Sequence, residues 1–201
     1  MTTLTLAVRD SSTMLRRSLL HMRRYPSMTL LLIGIPVIVL LLFVYVFGGT
    51  LGAGLGPTGD RADYANYVTP GILLITVASA AQGTAISVAM DMTEGIIARF
   101  RTMAIFRPSV LTGHVLGSMI QTMLGLAAVT GVALLVGFRP TANPLEWLAA
   151  IGVLAMVTFA VTWLSVALGL VTKSVETASN LPMPLILLPF LGSGFVPTDS
   201  M

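Results

Sequence analysis

The sequence predicts an all-α integral membrane protein with five transmembrane helices, preceded by an amphipathic helix at the membrane interface. Of its 201 residues, 55% are hydrophobic and only 9% are charged, whereas a soluble domain carries about 25% charged residues. The charges cluster and leave five uncharged windows, each long enough to cross a hydrocarbon core of roughly 30 Å as a helix. Helices are the predicted form because backbone groups in lipid must bond within their own segment, and the alternating strands of a barrel are absent.

The interfacial helix is predicted over residues 4–24. Placed on a helix, its apolar side chains form one stripe, consisting of Leu4, Val8, Leu15, Leu19 and Met22. Beside that stripe, Arg9, Arg16 and Arg23 recur every seven residues. A basic amphipathic helix suits a surface of anionic lipid, although a solvated basic leader would have the same charge. Pro26 breaks the helix and lets the chain turn into the bilayer.

Five transmembrane spans are predicted, over residues 28–47, 68–90, 109–137, 147–171 and 181–196. Residues 91–107, which join the second span to the third, are charged. Pro182, Pro184 and Pro189 predict an irregular stretch at the start of the fifth span. The spans lack any Asp, Glu, Lys or Arg side chain. Because ion-coupled carriers place such groups near the bilayer midplane, we expect energy to be supplied from outside the membrane domain.

The lysine and arginine residues indicate the orientation. With the N-terminus inside, nine of them fall on the inner side, and only Arg61 and Arg139 fall outside. Inner loops are the ones enriched in lysine and arginine. The sequence therefore predicts a multi-pass protein of the plasma membrane with a cytoplasmic N-terminus.

Catalytic and cofactor motifs are absent from the sequence. Without cysteine there is no thiol chemistry, and the only lysine, Lys173, lies outside any phosphate-binding loop motif. Gly54, Gly56 and Gly59 have dinucleotide-motif spacing but follow a membrane span, which favours a flexible loop. His114 has no second histidine at ligand spacing and is interpreted as a helix-packing or interfacial residue. No enzyme activity, cofactor, metal site or nucleic-acid partner is predicted.

Two glutamines and a glycine pair are the notable features within the spans. Gly113 and Gly117 have the spacing that lets two helix backbones approach closely. Gln82 and Gln121 are polar groups at membrane depth. These two glutamines either form hydrogen bonds between helices or contact a substrate.

Several segments resemble ABC-2 type permeases, and in particular their daunorubicin-resistance branch. The segments that carry the resemblance run in the family's order and are Arg24-Tyr25-Pro26, Met90–Ile105, Leu111-Thr112-Gly113-His114-Val115-Leu116, Lys173–Ala178 and Gly194–Met201. The resemblance covers nearly the whole chain. Permeases of this family have six spans, so a chain that ends after the fifth predicted span is expected to be a C-terminally truncated permease.

The resemblance implies the membrane-spanning subunit of an ATP-driven exporter. A separate ABC ATPase subunit, a second permease subunit in a homodimer, membrane lipids and a hydrophobic small-molecule substrate are the implied partners. Amphipathic drugs, polyketides, lipids or glycoconjugates are the implied substrates, as in multidrug export and antibiotic resistance. An ion-coupled secondary carrier, and a non-transporting scaffold or truncated remnant, are the alternatives.

The resemblance also makes residues 91–107 a cytoplasmic coupling loop that contacts the ATPase through Glu94, Gly95, Arg99 and Arg101. Asp91 and Glu94 precede the two arginines. Acidic residues at the start of a helix and basic residues at its end complement the helix dipole. This order predicts a short coupling helix over about residues 93–103, which would otherwise be a surface helix on anionic lipid.

Overall fold

A computed structural model describes residues 3–52, 60–96, 108–191 and 195. Every regular element in these ranges is helical. The α-helices are α1 (Thr3–Arg24), α2 (Pro26–Leu42), α3 (Gly48–Gly52), α4 (Arg61–Thr93), α5 (Pro108–Val136), α6 (Pro144–Val171), α7 (Val175–Asn180) and α8 (Met183–Leu191). One π-helical segment, Phe43–Phe47, joins α2 to α3.

Four stretches of helix are long and apolar enough to cross a membrane, namely Thr29–Gly52, Arg61–Thr93, Ser109–Val136 and Pro144–Val171. A shorter apolar helical stretch, Val175–Leu191, follows them. The predicted all-α membrane fold is confirmed. Within the predicted fifth span, residues 181–196, the structure describes α8, which a turn at Leu181 and Pro182 separates from α7. Residues 192–194 and 196 lie outside the described residues. Apart from that turn the proline-rich stretch is helical, and Pro189 lies inside α8.

Helix α4 is the centre of the bundle. It packs against α2, α3, α5, α6, α7 and α8, and 61% of its most apolar stretch is buried, against 17–28% in the other three spans. Small side chains such as Ala81, Ala85 and Ala89 are buried along it. Beside Ala85, α6 approaches so closely that a Cβ atom on Gly169 would lie 2.7 Å from the Ala85 carbonyl oxygen. Close backbone approach of this kind gives membrane helices their van der Waals contact.

Two apolar clusters fill the space around α4. One contains Leu40 and Val44 from the first span together with Val68, Ile72 and Val129. The other contains Val88, Val115 and Val166, contributed by α4, α5 and α6. Because the second cluster is nearer the C-terminal end of α4, it supports the same end of the bundle as the polar groups described below.

Side-chain caps fix the beginnings of α4 and α6. The Asp60 carboxylate accepts hydrogen bonds from the backbone of Ala62 and Asp63, and the Asn143 side chain does the same for Leu145 and Glu146. Both caps are reciprocal, since the third residue of each helix binds back to the cap. Such caps satisfy backbone donors that the helix itself leaves free.

Candidate functional site

Helix α4 extends three residues into the predicted coupling loop, residues 91–107. Thr93 is its last residue, and the Glu94 N–H still donates to the Met90 carbonyl oxygen at 2.9 Å. Gly95 follows with a φ of 71°, a left-handed conformation that glycine adopts without a Cβ clash and that ends helices. The exposed Glu94 carboxylate therefore lies at the junction between α4 and the loop.

The predicted start of the coupling helix is wrong. Asp91 and Thr93 belong to the last turn of α4, and the backbone breaks at Glu94 and Gly95, because Gly95 takes the left-handed conformation. The helix dipole therefore places Asp91 at a C-terminal end, where a negative charge is not favoured. Ile96 is again helical. Residues 97–107, which include Arg99 and Arg101, lie outside the described residues.

Asp91 is held by cationic or polar groups from two other helices. Arg17 Nη2 donates to both carboxylate oxygens, at 3.2 Å each, and His114 Nε2 lies 3.0 Å from Oδ2. The Asp91 side chain is 11% exposed and that of His114 is 16% exposed, whereas Arg17 is 44% exposed. A buried carboxylate needs such partners to offset its loss of hydration. We call Arg17, Asp91 and His114 the three-helix cluster, since they join α1, α4 and α5.

Next to this cluster, α1 packs directly on the N-terminal third of α5. A Cβ atom on Gly113 would lie 2.5 Å from Met14 Cβ, and one on Gly117 would overlap the Ser18 side chain. Ser11 Oγ and Thr112 Oγ1 share a hydrogen bond of 3.1 Å at the same contact. The small residues four apart in the sequence thus form the surface that receives the predicted interfacial helix.

A cavity of about 520 Å³ lies between α1, α4 and α5 beside the three-helix cluster. Helix α1 lines it with Arg17, His21 and Arg24, and the residue after α1, Tyr25, completes that wall. Asp91 lines the wall formed by α4. Because basic residues outnumber acidic ones among the described lining residues, the cavity suits an anion better than a cation.

The two glutamines form hydrogen bonds between separate elements. Gln82 Nε2 donates to the Ser179 carbonyl oxygen at 2.6 Å, and Gln121 Nε2 donates to Thr29 Oγ1 at 3.1 Å. These bonds tie α4 to α7 and α5 to α2. Contact of either glutamine with a substrate stays a prediction.

A second cavity, of about 630 Å³, lies between α4, α6 and α8. Its walls are mostly aliphatic, with side chains such as Leu74, Val161 and Leu188, and the polar Asn66 and Tyr67 come from the N-terminal part of α4. Among the described residues, no group of three His, Asp or Glu side chains is placed to hold a metal ion.

Comparison with known proteins shows the family. Residues 10–201 match the sequence model of the family described as ABC-2 type transporter. The chain belongs to the ABC-2 type transporter family. It is 30% identical to the daunorubicin resistance ABC transporter permease protein DrrB1 of Streptomyces coeruleorubidus over 197 residues, which are 97% of this chain and 67% of that protein. No solved structure matches this chain.

Family membership makes this ABC-2 permease a multi-pass membrane protein and the membrane subunit of an ABC exporter. It also implies an ABC ATPase as a partner and membrane lipids as surroundings. The family explains the membrane spans directly, because a permease must cross the bilayer several times.

The three-helix cluster of this ABC-2 permease was not predicted from its sequence. Asp91 directly follows the second predicted span, and His114 lies close to the start of the third. Consecutive antiparallel spans bring those two positions to the same end of the bundle, so the topology alone predicts that they lie close together. The topology does not predict the contact of Arg17 with Asp91, because that contact depends on how α1 is placed against α5.

Proposed function

We propose that this chain is the membrane-spanning subunit of an ATP-driven exporter of amphipathic molecules in the plasma membrane. It works as a homodimer, its N-terminus is cytoplasmic, and a separate ATPase subunit binds beneath it. The family match over residues 10–201 carries the proposal. The relative named for daunorubicin resistance supports a drug among the proposed substrate classes, which also include polyketides, lipids and glycoconjugates.

The apolar cavity between α4, α6 and α8 supports an amphipathic substrate. Ligand sites of this size are mostly apolar and contain a few polar groups that fix orientation, which agrees with aliphatic walls and the polar Asn66 and Tyr67. Gln82 and Gln121 are the further candidates for contact with the substrate during transport, since both are only partly buried.

The loop from residue 91 to residue 107 couples the ATPase to the membrane helices. Its first three residues, 91–93, form the last turn of α4, Glu94 and Gly95 come next, and Arg99 and Arg101 follow. Glu94 is exposed and is therefore accessible to another subunit. A displacement of the loop moves α4 and α5 together because it is attached to both. The three-helix cluster links the same ends to α1, so α1 follows this movement.

The test is co-expression of the chain with its ATPase and measurement of substrate-stimulated ATP hydrolysis and export in vesicles. Glu94→Ala is expected to reduce stimulation severalfold while insertion is unchanged, and Arg99→Glu is expected to reduce it more, because a like charge facing acid costs more than a lost pair. Glu176→Ala is the matched control, since Glu176 is also an exposed glutamate on the predicted cytoplasmic side.

Parental activity in both loop variants would show that the loop only anchors the protein. Transport that depends on an ion gradient and continues without ATP would instead support an ion-coupled carrier. Absence of any transport together with intact ATPase binding would support a scaffold.

A further inference from the structure

We infer that the cavity between α1, α4 and α5 binds the phosphate headgroup of an anionic phospholipid. The inference goes beyond the proposed function and needs only a membrane-embedded chain, so it holds whether or not the chain exports a substrate.

The lining of the cavity follows helical periodicity. Arg17, His21 and Arg24 are spaced by four and three residues, which places them on one face of α1. The opposite walls come from Ser87 and Asp91, four apart on α4, and from Val110, Gly113 and His114 on α5. Three helices therefore build the cavity, and the basic side chains of α1 face Asp91 and His114 together with small groups such as Ser87 and Gly113.

The cavity has one cationic group, the guanidinium of Arg24, that is available to bind a ligand. Asp91 is the only acidic residue among the described lining residues, and Arg17 and His114 already bind it. The Arg24 side chain makes no ion pair or hydrogen bond with any other described residue. The His21 ring packs on the Tyr25 ring, with centroids 4.8 Å apart, and is held at the same wall. A guanidinium group in this setting binds phosphate by charge-assisted hydrogen bonds.

The position of the cavity points to a lipid as the source of the phosphate. Helix α2 begins at Pro26, directly after the cavity residue Tyr25, and its first turns carry the exposed side chains of Leu30 and Leu31. A headgroup in the cavity thus has exposed apolar surface on the adjoining span for its acyl chains. A volume of about 520 Å³ is within the range of known ligand sites and is ample for a glycerophosphate group.

The test uses the purified chain in nanodiscs that contain phosphatidylcholine and phosphatidylglycerol, with bound lipid counted by native mass spectrometry. We expect preferential retention of phosphatidylglycerol. Arg24→Gln should lower that preference about tenfold more than Arg23→Gln, which corresponds to roughly 1.4 kcal/mol, about the size of one hydrogen bond to a charged group. Arg23 and Arg24 are both exposed in the last turn of α1, but only Arg24 lines the cavity.

A second variant fills the cavity without a change of charge. Ser87→Leu is expected to reduce retention of phosphatidylglycerol, because the larger side chain occupies the wall contributed by α4. This variant also tests the site if Arg24→Gln disturbs folding. Equal losses for Arg23→Gln and Arg24→Gln, with no loss for Ser87→Leu, would overturn the inference in favour of general surface attraction.

Soluble anions separate the two sources of phosphate. We expect inorganic phosphate at millimolar concentration to leave the phosphatidylglycerol count of the parent unchanged, because it lacks acyl chains. Displacement of the lipid by inorganic phosphate at that concentration would overturn the assignment of the site to a lipid.

Discussion

At the scale of single residues, Asp91 combines burial with a charge. Its carboxylate is 11% exposed and has partners on two other helices. Loss of one partner from a fully buried ion pair costs about 3–5 kcal/mol, because the other charge remains unpaired. The Arg17 side chain is 44% exposed, so water takes over part of its role and the cost is reduced. The histidine remains beside Asp91 in either case.

Arg17→Gln is therefore expected to lower the free energy of unfolding by about 1 kcal/mol. Arg16→Gln is the control, because it removes the same charge from an exposed neighbouring position that has no described partner. Thermal denaturation in detergent measures both. A double-mutant cycle with Asp91→Asn checks the pair itself, since coupled residues are not additive. Equal effects of Arg16→Gln and Arg17→Gln would contradict a specific bond to Asp91.

The sequence predicted part of this residue-scale chemistry. His114 was interpreted as a packing or interfacial residue, and the structure gives its imidazole a hydrogen bond to Asp91. Asp91 itself was assigned to the start of a coupling helix, because the order of acidic and basic residues suits a helix dipole. The left-handed conformation of Gly95 ends α4 after Asp91 and so outweighs the preference of acidic residues for the start of a helix. The helix dipole gives no indication of which glycine adopts that conformation.

At the scale of elements, the contact between α1 and α5 depends on the absence of side chains at two positions. Gly113 faces Met14 Cβ at 2.5 Å and the Met14 carbonyl carbon at 3.2 Å, measured from a Cβ atom placed on the glycine. Neither Met14 atom is the flexible end of a side chain. Any added carbon at Gly113 must therefore displace α1 as a whole.

Gly113→Ala is expected to loosen α1 at a cost of about 1–3 kcal/mol, as overpacking does in well-packed contacts. Gly131→Ala in the same helix is the control, because a Cβ atom there meets nothing within 4 Å. Both changes raise helix propensity by the same roughly 1 kcal/mol. The measurement is hydrogen exchange over Arg9–Arg24. Faster exchange in Gly113→Ala alone supports the contact, and equal exchange in both variants contradicts it.

The proline-rich segment 181–191 is more regular than its sequence predicts. Three prolines predicted irregular backbone, yet α8 is helical from Met183 to Leu191. Pro184 is tolerated because the first turn of a helix has N–H groups without partners in any case. Pro182 precedes the helix within the turn after α7. The hydrophobic pattern also gives no indication of the π-helical segment Phe43–Phe47, a rare i→i+5 feature within an otherwise α-helical span.

At the scale of the whole molecule, α4 is the element that every described transmembrane helix contacts. Its small residues allow close approach on several sides at once, as at Ala85 and Gly169. Its C-terminal end carries Asp91 and precedes the proposed coupling loop. Under that proposal, a movement imposed on the end of α4 reaches α5 through the loop and α1 through the bond between Arg17 and Asp91.

The all-α membrane fold class was predictable from the sequence because it depends only on the distribution of charge and the lengths of the uncharged segments. Charged side chains are expensive in hydrocarbon, so uncharged windows predict membrane helices without knowledge of their neighbours. Which helix occupies the centre was not predictable in the same way. The most buried helix, α4, has a lower mean hydropathy in its best window than the exposed first span, 1.8 against 3.1, because small and polar residues mediate its contacts.

Orientation is the remaining whole-molecule property, and the charge distribution predicts it. Nine lysine and arginine residues lie on the side assigned to the cytoplasm and two lie on the other, a bias that sets topology in membrane proteins. The chain contains no cysteine, so single cysteines report on their own positions. Ser12→Cys, Thr141→Cys and Thr177→Cys all replace exposed residues and leave every charge in place.

We expect an impermeant maleimide to label Thr141→Cys in intact cells, because residue 141 lies in the turn between α5 and α6 on the predicted outer side. Ser12→Cys and Thr177→Cys should react only after permeabilisation. The two inner positions control each other, because residue 12 precedes the first span and residue 177 follows the fourth. Four crossings return the chain to the side on which it began. Labelling of Ser12→Cys in intact cells would contradict the predicted orientation and place the N-terminus outside. Labelling of Thr177→Cys alone would mean that one of the four long helices does not cross the membrane.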